Sequence, residues 1–211
     1  MKGKAYLHRQ KKEDRPEGDF FNTPKSLVWA AMDIIKNEFP EGKTILEPCC
    51  GHNSIAEVLV DDYNIQVTCN DLYCEENTVS QLDYTNWKNI DEELYFSSHE
   101  YIITNPPFSL WDDFVNTAKK HCKKFMFIGR LNYFGTKGRM EKDLWAGLKL
   151  VRVFNRYVDY RTTYRKDGLF HVGGQCTGWF LWDINYEGLP YIEVCDVDPW
   201  AKLGSFKNGK F

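Results

Sequence analysis

Residues 100–108 read EYIITNPPF, an apolar run that stops at two consecutive prolines. The run has the length and β-branched content of a buried strand, and neither Pro106 nor Pro107 can continue it. Two prolines also remove two backbone donors and fix the chain, which leaves carbonyls to act as oriented acceptors. Asn105 adds a side-chain carbonyl beside them. That arrangement suits an exocyclic amino group, which has two hydrogens to donate and a nitrogen lone pair to direct at an electrophile. Phe108 offers an aromatic face for a base turned out of its stack. A plain strand-terminating turn explains the same residues without any chemistry.

Outward from this segment, strands and helices alternate. SLWDDFVNTAKKH (109–121) has helical spacing, and KKFMFIGRLNYF (123–134) is a further strand. Upstream, TILEP (44–48) reads as a short buried strand followed by a helix SIAEVLVDDY, and IQVTCNDLY (65–73) as a second strand. Residues 24–39 (PKSLVWAAMDIIKNEF) form one helix in this reading, with Thr23 as N-cap and Pro24 as its first residue. Residues 77–99 are ambiguous and allow a short strand near Leu82. Downstream, GTKGRMEKD (135–143) has the composition of a mobile loop. VRVFNRYVDY and TGWFLWDIN are the last two strands, joined by the long connection RTTYRKDGLFHVGGQC. Such alternation implies an α/β fold, a mostly parallel sheet covered on both faces. The closing AKLGSFKNGKF reads as a tail.

The chain has 211 residues, 43% hydrophobic and 16% aromatic, enough for one sizeable core. No apolar run approaches the ~20 residues needed to cross a bilayer, and the first twenty residues lack a signal peptide's apolar stretch. Seven cysteines without repeated C-x-x-C spacing fit a reducing, cytoplasmic setting better than a disulfide framework. A net charge of -3 decides nothing about nucleic acid, because local clustering matters more. Basic residues do gather at Lys2, Lys4, Arg9, Lys11, Lys12 and Arg15, and again at Arg152, Arg156, Arg161, Arg165 and Lys166. An ordinary solvated surface accounts for either cluster equally well.

In open parallel sheets, ligands bind beyond the carboxyl ends of the strands. Two such ends besides TNPPF stand out. In EPCCGHNS (47–54), Gly51 lets the backbone approach a ligand, Asn53 tolerates positive φ, and Glu47 can accept from an amino-bearing group. Asp71 closes the next strand roughly twenty residues later, where a carboxylate can take both hydroxyls of a ribose. Asp83 in QLDY is a softer candidate for an adenine edge. A bare strand-to-helix turn and a helix-capping aspartate are the alternatives. Pro48-Cys49 is read as a buried thiol rather than a cytosine-methylating nucleophile, and no metal site is expected from Cys49, Cys50 and His52.

FNTP, EPCCGHNS, CND, LDY and TNPPF, in this order and spacing, resemble the amino-group methyltransferases whose signature is Asn/Asp-Pro-Pro-aromatic. NPPFSLWDDF and GQCTGWFLWDIN are similar to the EcoRI-type adenine-N6 DNA methyltransferases and their phage relatives. The resemblance implies a Rossmann-like class I fold with a seven-stranded sheet and a reversed final hairpin. The methyltransferase domain would span 21–190, between a basic arm (1–20) and a C-terminal extension (191–211). It further implies S-adenosylmethionine as cofactor, held by Phe21, Thr23, Glu47, Cys49, Gly51, Asp71, Leu72 and Asp83, with Asn105, Pro106, Pro107 and Phe108 catalytic. DNA is the implied substrate, contacted by Arg156, Arg161, Arg165 and Lys166, with no membrane partner and a homodimer allowed. Asn53 stands where a second glycine is usual, and no separate target-recognition domain is visible. Runners-up are an RNA amino methyltransferase, a protein-glutamine methyltransferase and a non-catalytic binding module; an NAD enzyme is disfavoured because G-x-G-x-x-G is absent.

Overall fold

A computed structural model describes residues 23–73, 80–158 and 175–197. Its strands are β1 (Ile45–Glu47), β2 (Val67–Cys69), β3 (Tyr101–Thr104), β4 (Lys124–Arg130), β5 (Leu148–Val158), β6 (Gln175–Asp183) and β7 (Tyr191–Cys195). The helices are α1 (Lys25–Trp29), α2 (Met32–Glu38), α3 (Ser54–Glu57), α4 (Ile90–Ser97), α5 (Trp111–His121) and α6 (Lys137–Glu141). The strands form one seven-stranded sheet in the order β2-β1-β3-β4-β6-β5-β7. Only β6 runs against its neighbours β4 and β5; every other pairing is parallel.

Strand side chains alternate between faces, and here the alternation divides the core in two. Tyr101, Ile103, Met126, Ile128, Trp179 and Leu181 face α1, α2 and α3. Ile102, Phe125, Phe127, Phe180 and Trp182 face α5. The second face is largely aromatic: Phe125 stacks on Trp182 at 4.9 Å and 11°, and Trp111 lies fully buried against both Phe180 and Trp182. Gly129 makes room for that indole, since a Cβ there would come within 2.9 Å of Trp111 Nε1. Among the described residues, the three fully buried indoles keep their donors occupied, Trp111 by Ile128 O, Trp179 by Leu27 O and Trp182 by Leu144 O, as burial of a polar N–H requires. Among the described residues, no helix is long and apolar enough to cross a membrane.

The structure corrects the sequence reading in five places. Residues 24–39 are two helices, not one; the chain breaks at Ala30 and Ala31, and Arg152 Nη1 donates to the buried Ala30 carbonyl at 2.7 Å. Pro24, not Thr23, is the N-cap, and no side chain caps that helix. The strand expected near Leu82 shrinks to a single bridge, Asn70 to Ser80. GTKGRMEKD is not a loop: a 3-10 turn (Leu131–Gly135) leads into α6, held because Arg139 donates to Asp112 at 2.6 Å and lies over the Tyr133 ring. Finally, the hairpin strands β5 and β6 are not the last. β7 follows them and supplies the sheet's seventh strand, tied to β5 and α2 by Arg152, which donates to both Glu193 and Asp33.

Candidate active site

The register of the sheet brings the carboxyl ends of β1, β2 and β3 together. Glu47 lies opposite Cys69, and Leu46 opposite Ile102, so the EPCCGHNS turn, Asp71 and the Asn-Pro-Pro-Phe segment emerge side by side. Asn70, fully buried, binds these ends: its amide donates to the Pro48 and Leu82 carbonyls and accepts from Ser80 and Leu82. With all its hydrogen bonds made inside the protein, it is a structural clamp. The CND motif contained it, but the neighbouring carboxylate drew the functional reading.

The turn after β1 carries the strained backbone anticipated for it, with Gly51 at φ 51° and Asn53 at φ 60°. Asp71 fastens this turn by accepting from Gly51 N at 2.9 Å, while its other oxygen accepts from Tyr73 N. Glu47 is almost fully buried and accepts from Ala56 N, at the start of α3, at 3.0 Å. Burial, reinforced by the neighbouring Cys69 and Asp71, pushes its carboxyl well above the ordinary glutamate range. Cys49 links the turn to β3 through Thr104 Oγ1 at 2.9 Å and the Asn105 carbonyl at 3.5 Å. Burial also raises its thiol, so it is an inert neutral group in this setting.

Asn105 is oriented by a contact across 82 positions of sequence: its Nδ2 donates to Thr23 Oγ1 at 3.1 Å. The hydroxyl expected to cap a helix holds the motif's amide instead. Fixing Nδ2 fixes Oδ1 as well, and among the described residues the buried Oδ1 has no partner. Along the same segment the carbonyls of Asn105, Pro107 and Phe108 accept from the Cys49 thiol, Leu110 N and the Tyr133 hydroxyl respectively. No described residue donates to the Pro106 carbonyl. The two acceptors left over are therefore the Asn105 side chain and the Pro106 backbone, the pair that an amino group with two N–H bonds would use.

Phe108 is buried with the core rather than standing open, and the Arg130 guanidinium lies 4.5 Å over its ring. Leu72 is 39% exposed, beside Asp71. Asp83 turns its carboxylate to the Thr85 amide and hydroxyl, at 2.9 and 2.8 Å, and Tyr84 beside it is core. Phe21, Arg161, Arg165 and Lys166 lie outside the described residues, as does the side chain of Arg156. Arg130 and Tyr133 were absent from the sequence reading, where nothing separated them from the rest of their strand.

The profile of a family described as adenine-specific methyltransferase EcoRI matches residues 71–176, half of the chain. No curated protein sequence matches significantly. Among solved structures, the methyltransferase subunit of a type I restriction-modification system from Streptococcus thermophilus superposes with a TM-score of 0.60 at 11% identity, over 90% of this chain and 54% of that one. A protein assigned as a modification subunit of a type I restriction enzyme from Vibrio vulnificus gives 0.54 at 13% identity, over 90% and 53%. A protein assigned as an RNA methyltransferase from Pyrococcus horikoshii gives 0.50 at 14%, over 86% and 94%. The chain thus spans about half the length of the two restriction-modification subunits, and at these identities the likeness is one of fold: a Rossmann-like methyltransferase sheet with β6 reversed.

Proposed function

Since the chain belongs to the EcoRI adenine-specific methyltransferase family, we propose that it transfers a methyl group from S-adenosylmethionine to the exocyclic N6 of adenine in DNA. The observation that carries this reading is the buried, partnerless Oδ1 of Asn105, held in place through Thr23 and set beside the open Pro106 carbonyl.

An adenine amino group donating one hydrogen to each of these acceptors has its nitrogen drawn toward a pyramidal, nucleophilic geometry. Interactions that strengthen as the nitrogen acquires positive charge lower the barrier rather than merely binding the ground state. After transfer, the surplus proton lies on a nitrogen already hydrogen-bonded to both oxygens, and it leaves to water.

The polar groups around the β1 turn fit the cofactor. Glu47, whose carboxyl burial pushes well above the ordinary glutamate range, gains a favourable partner from a cationic amino group. The Asp71 carboxylate, which already accepts from Gly51 N and Tyr73 N, stands at the end of β2, where a carboxylate can take a ribose hydroxyl. Positive φ at Gly51 bends the backbone into the close approach such a ligand needs. When bound, the cofactor supplies an electrophilic methyl on a sulfonium. We assign Leu72 and Asp83 to the adenine end, and the basic, aromatic connection from Arg156 to Lys166 to contact with the DNA strand.

Incubation with methyl-labelled S-adenosylmethionine and separate pools of duplex DNA, single-stranded DNA, RNA and protein tests this reading. Label in DNA adenine, lost in Asn105→Ala, is the expected result. Label confined to RNA or protein overturns the substrate, and an absence of label in every pool overturns the activity.

A further inference from the structure

We infer that Arg130 holds a phosphodiester oxygen of the nucleic-acid strand that carries the target base, an inference that rests on the nucleic-acid reading above. β3 and β4 are in register with Thr104 opposite Phe127, so Arg130, three residues further on and still paired with Thr177 of β6, comes level with the Pro-Pro-Phe segment that follows β3. Ile128 belongs to the face that also contains Phe108, and Arg130, two residues on, points the same way. Its guanidinium lies 4.5 Å over the Phe108 ring. That ring is itself anchored, since the Phe108 carbonyl accepts from the Tyr133 hydroxyl at 3.1 Å. Stacking of this kind occupies the guanidinium's face and leaves its in-plane N–H edge for an anion.

The other arginines whose side chains are described are neutralised. Arg139 binds Asp112, and Arg152 binds Asp33 and Glu193. Among the described residues no carboxylate pairs with Arg130, and its Nε is buried without any hydrogen-bond partner. An orphaned, buried, charged donor destabilises the folded state until an acceptor arrives. An acidic oxygen in the right plane is the acceptor that guanidinium geometry matches best. The place also fits the need: a base turned out of its stack must be held by its backbone, and phosphate contacts set register without reading sequence. The cofactor carboxylate is a poorer partner, because the strained turn and Asp71 lie at the ends of β1 and β2, across β3 from Arg130.

Arg130→Met and Arg130→Lys separate these roles, measured with an oligonucleotide containing the site mapped by the labelling experiment. For Arg130→Met the dissociation constant should rise about tenfold, and the slope of its logarithm against that of salt concentration should fall by about one. Arg130→Lys should keep the slope while regaining only part of the affinity, and calorimetric binding of S-adenosylmethionine should not change in either. A neutral methylphosphonate at the linkage beside the target should weaken the wild type equally and leave Arg130→Met unaffected. An unchanged salt slope with a lowered melting temperature would make Arg130 a packing residue, and weakened cofactor binding would make it a cofactor ligand; either overturns the inference while leaving the methylation reading intact. Label in protein alone, or in no pool, defeats that reading by its own result and takes the phosphate contact with it.

Discussion

The two halves of the sheet treat buried polar groups in opposite ways. In the hairpin half, built from β4, β6 and β5, Trp111, Trp179 and Trp182 each donate to a backbone carbonyl, and Arg152 is surrounded by Asp33, Glu193 and the Ala30 carbonyl. At the carboxyl ends of β1, β2 and β3, Asn105 Oδ1 is buried without a donor, Glu47 carries a carboxyl in an apolar setting, and Gly51 and Asn53 hold positive φ. Apart from Arg130 Nε at the very end of β4, none of the described side chains of the first half is left buried without a partner. The second stores unfavourable terms that a ligand with amino, cationic and hydroxyl groups would relieve, which is how a binding site differs from a core built from the same sheet.

The largest effect should come from breaking the first half. Trp111→Ala removes the aromatic around which Tyr133, Phe180 and Trp182 pack and should destabilise the protein by about 3–5 kcal/mol, read from urea unfolding. Asn105→Ala should do the reverse. It gives up one partly buried hydrogen bond, so stability should move by only about 1 kcal/mol, while the rate of methyl transfer should fall by roughly 10²–10³. If instead Asn105→Ala unfolds as readily as Trp111→Ala, the contrast between the halves is wrong and Asn105 belongs to the core.

What was legible in the sequence follows the same division. EYIITNPPF could be read as strand and site together because apolar periodicity and a proline pair are local signals. Its neighbours were misread where a distant partner decides the outcome. Thr23 looked like a helix cap, yet its hydroxyl is taken by Asn105. GTKGRMEKD has loop composition, and it becomes helical because Asp112 and Tyr133 hold Arg139. YIEVC was placed in the C-terminal extension, outside the sheet, because no local pattern shows that Glu193 meets Arg152 across the sheet. Arg130 resembles any strand-end arginine until its missing carboxylate is seen.

Glu47→Gln sharpens the comparison through pH. The Glu47 carboxyl holds its proton more tightly in the folded state than a free glutamate does at its usual 4.5. As pH rises above that value the unfolded chain releases the proton and the folded chain does not, so the wild type loses stability on this account. Glu47→Gln keeps an acceptor for Ala56 N and has no proton to release. Its stability should therefore match the wild type near pH 4 and exceed it at pH 8 in paired thermal melts. The same variant should bind S-adenosylmethionine roughly tenfold more weakly, the loss of one charge-assisted hydrogen bond, measured by calorimetry. Equal stability at both pH values would mean that water reaches the carboxyl and that the site is less closed than its burial implies.

The smallest effect is the most discriminating, because it reaches the chemistry through the orientation of Asn105. Thr23→Val preserves shape but leaves Asn105 Nδ2 without its 3.1 Å acceptor, so the amide can rotate and Oδ1 is aimed correctly only part of the time. A hydrogen bond of about 0.5–1.5 kcal/mol corresponds to a kcat lowered three- to tenfold. Because Thr23 would act through orientation rather than contact, KM for DNA should stay constant, and Thr23→Ser should restore the rate by returning the hydroxyl. A rise in KM with kcat unchanged would place Thr23 in substrate binding, and a failure of serine to rescue would mean that the methyl group of this buried residue is what the position requires.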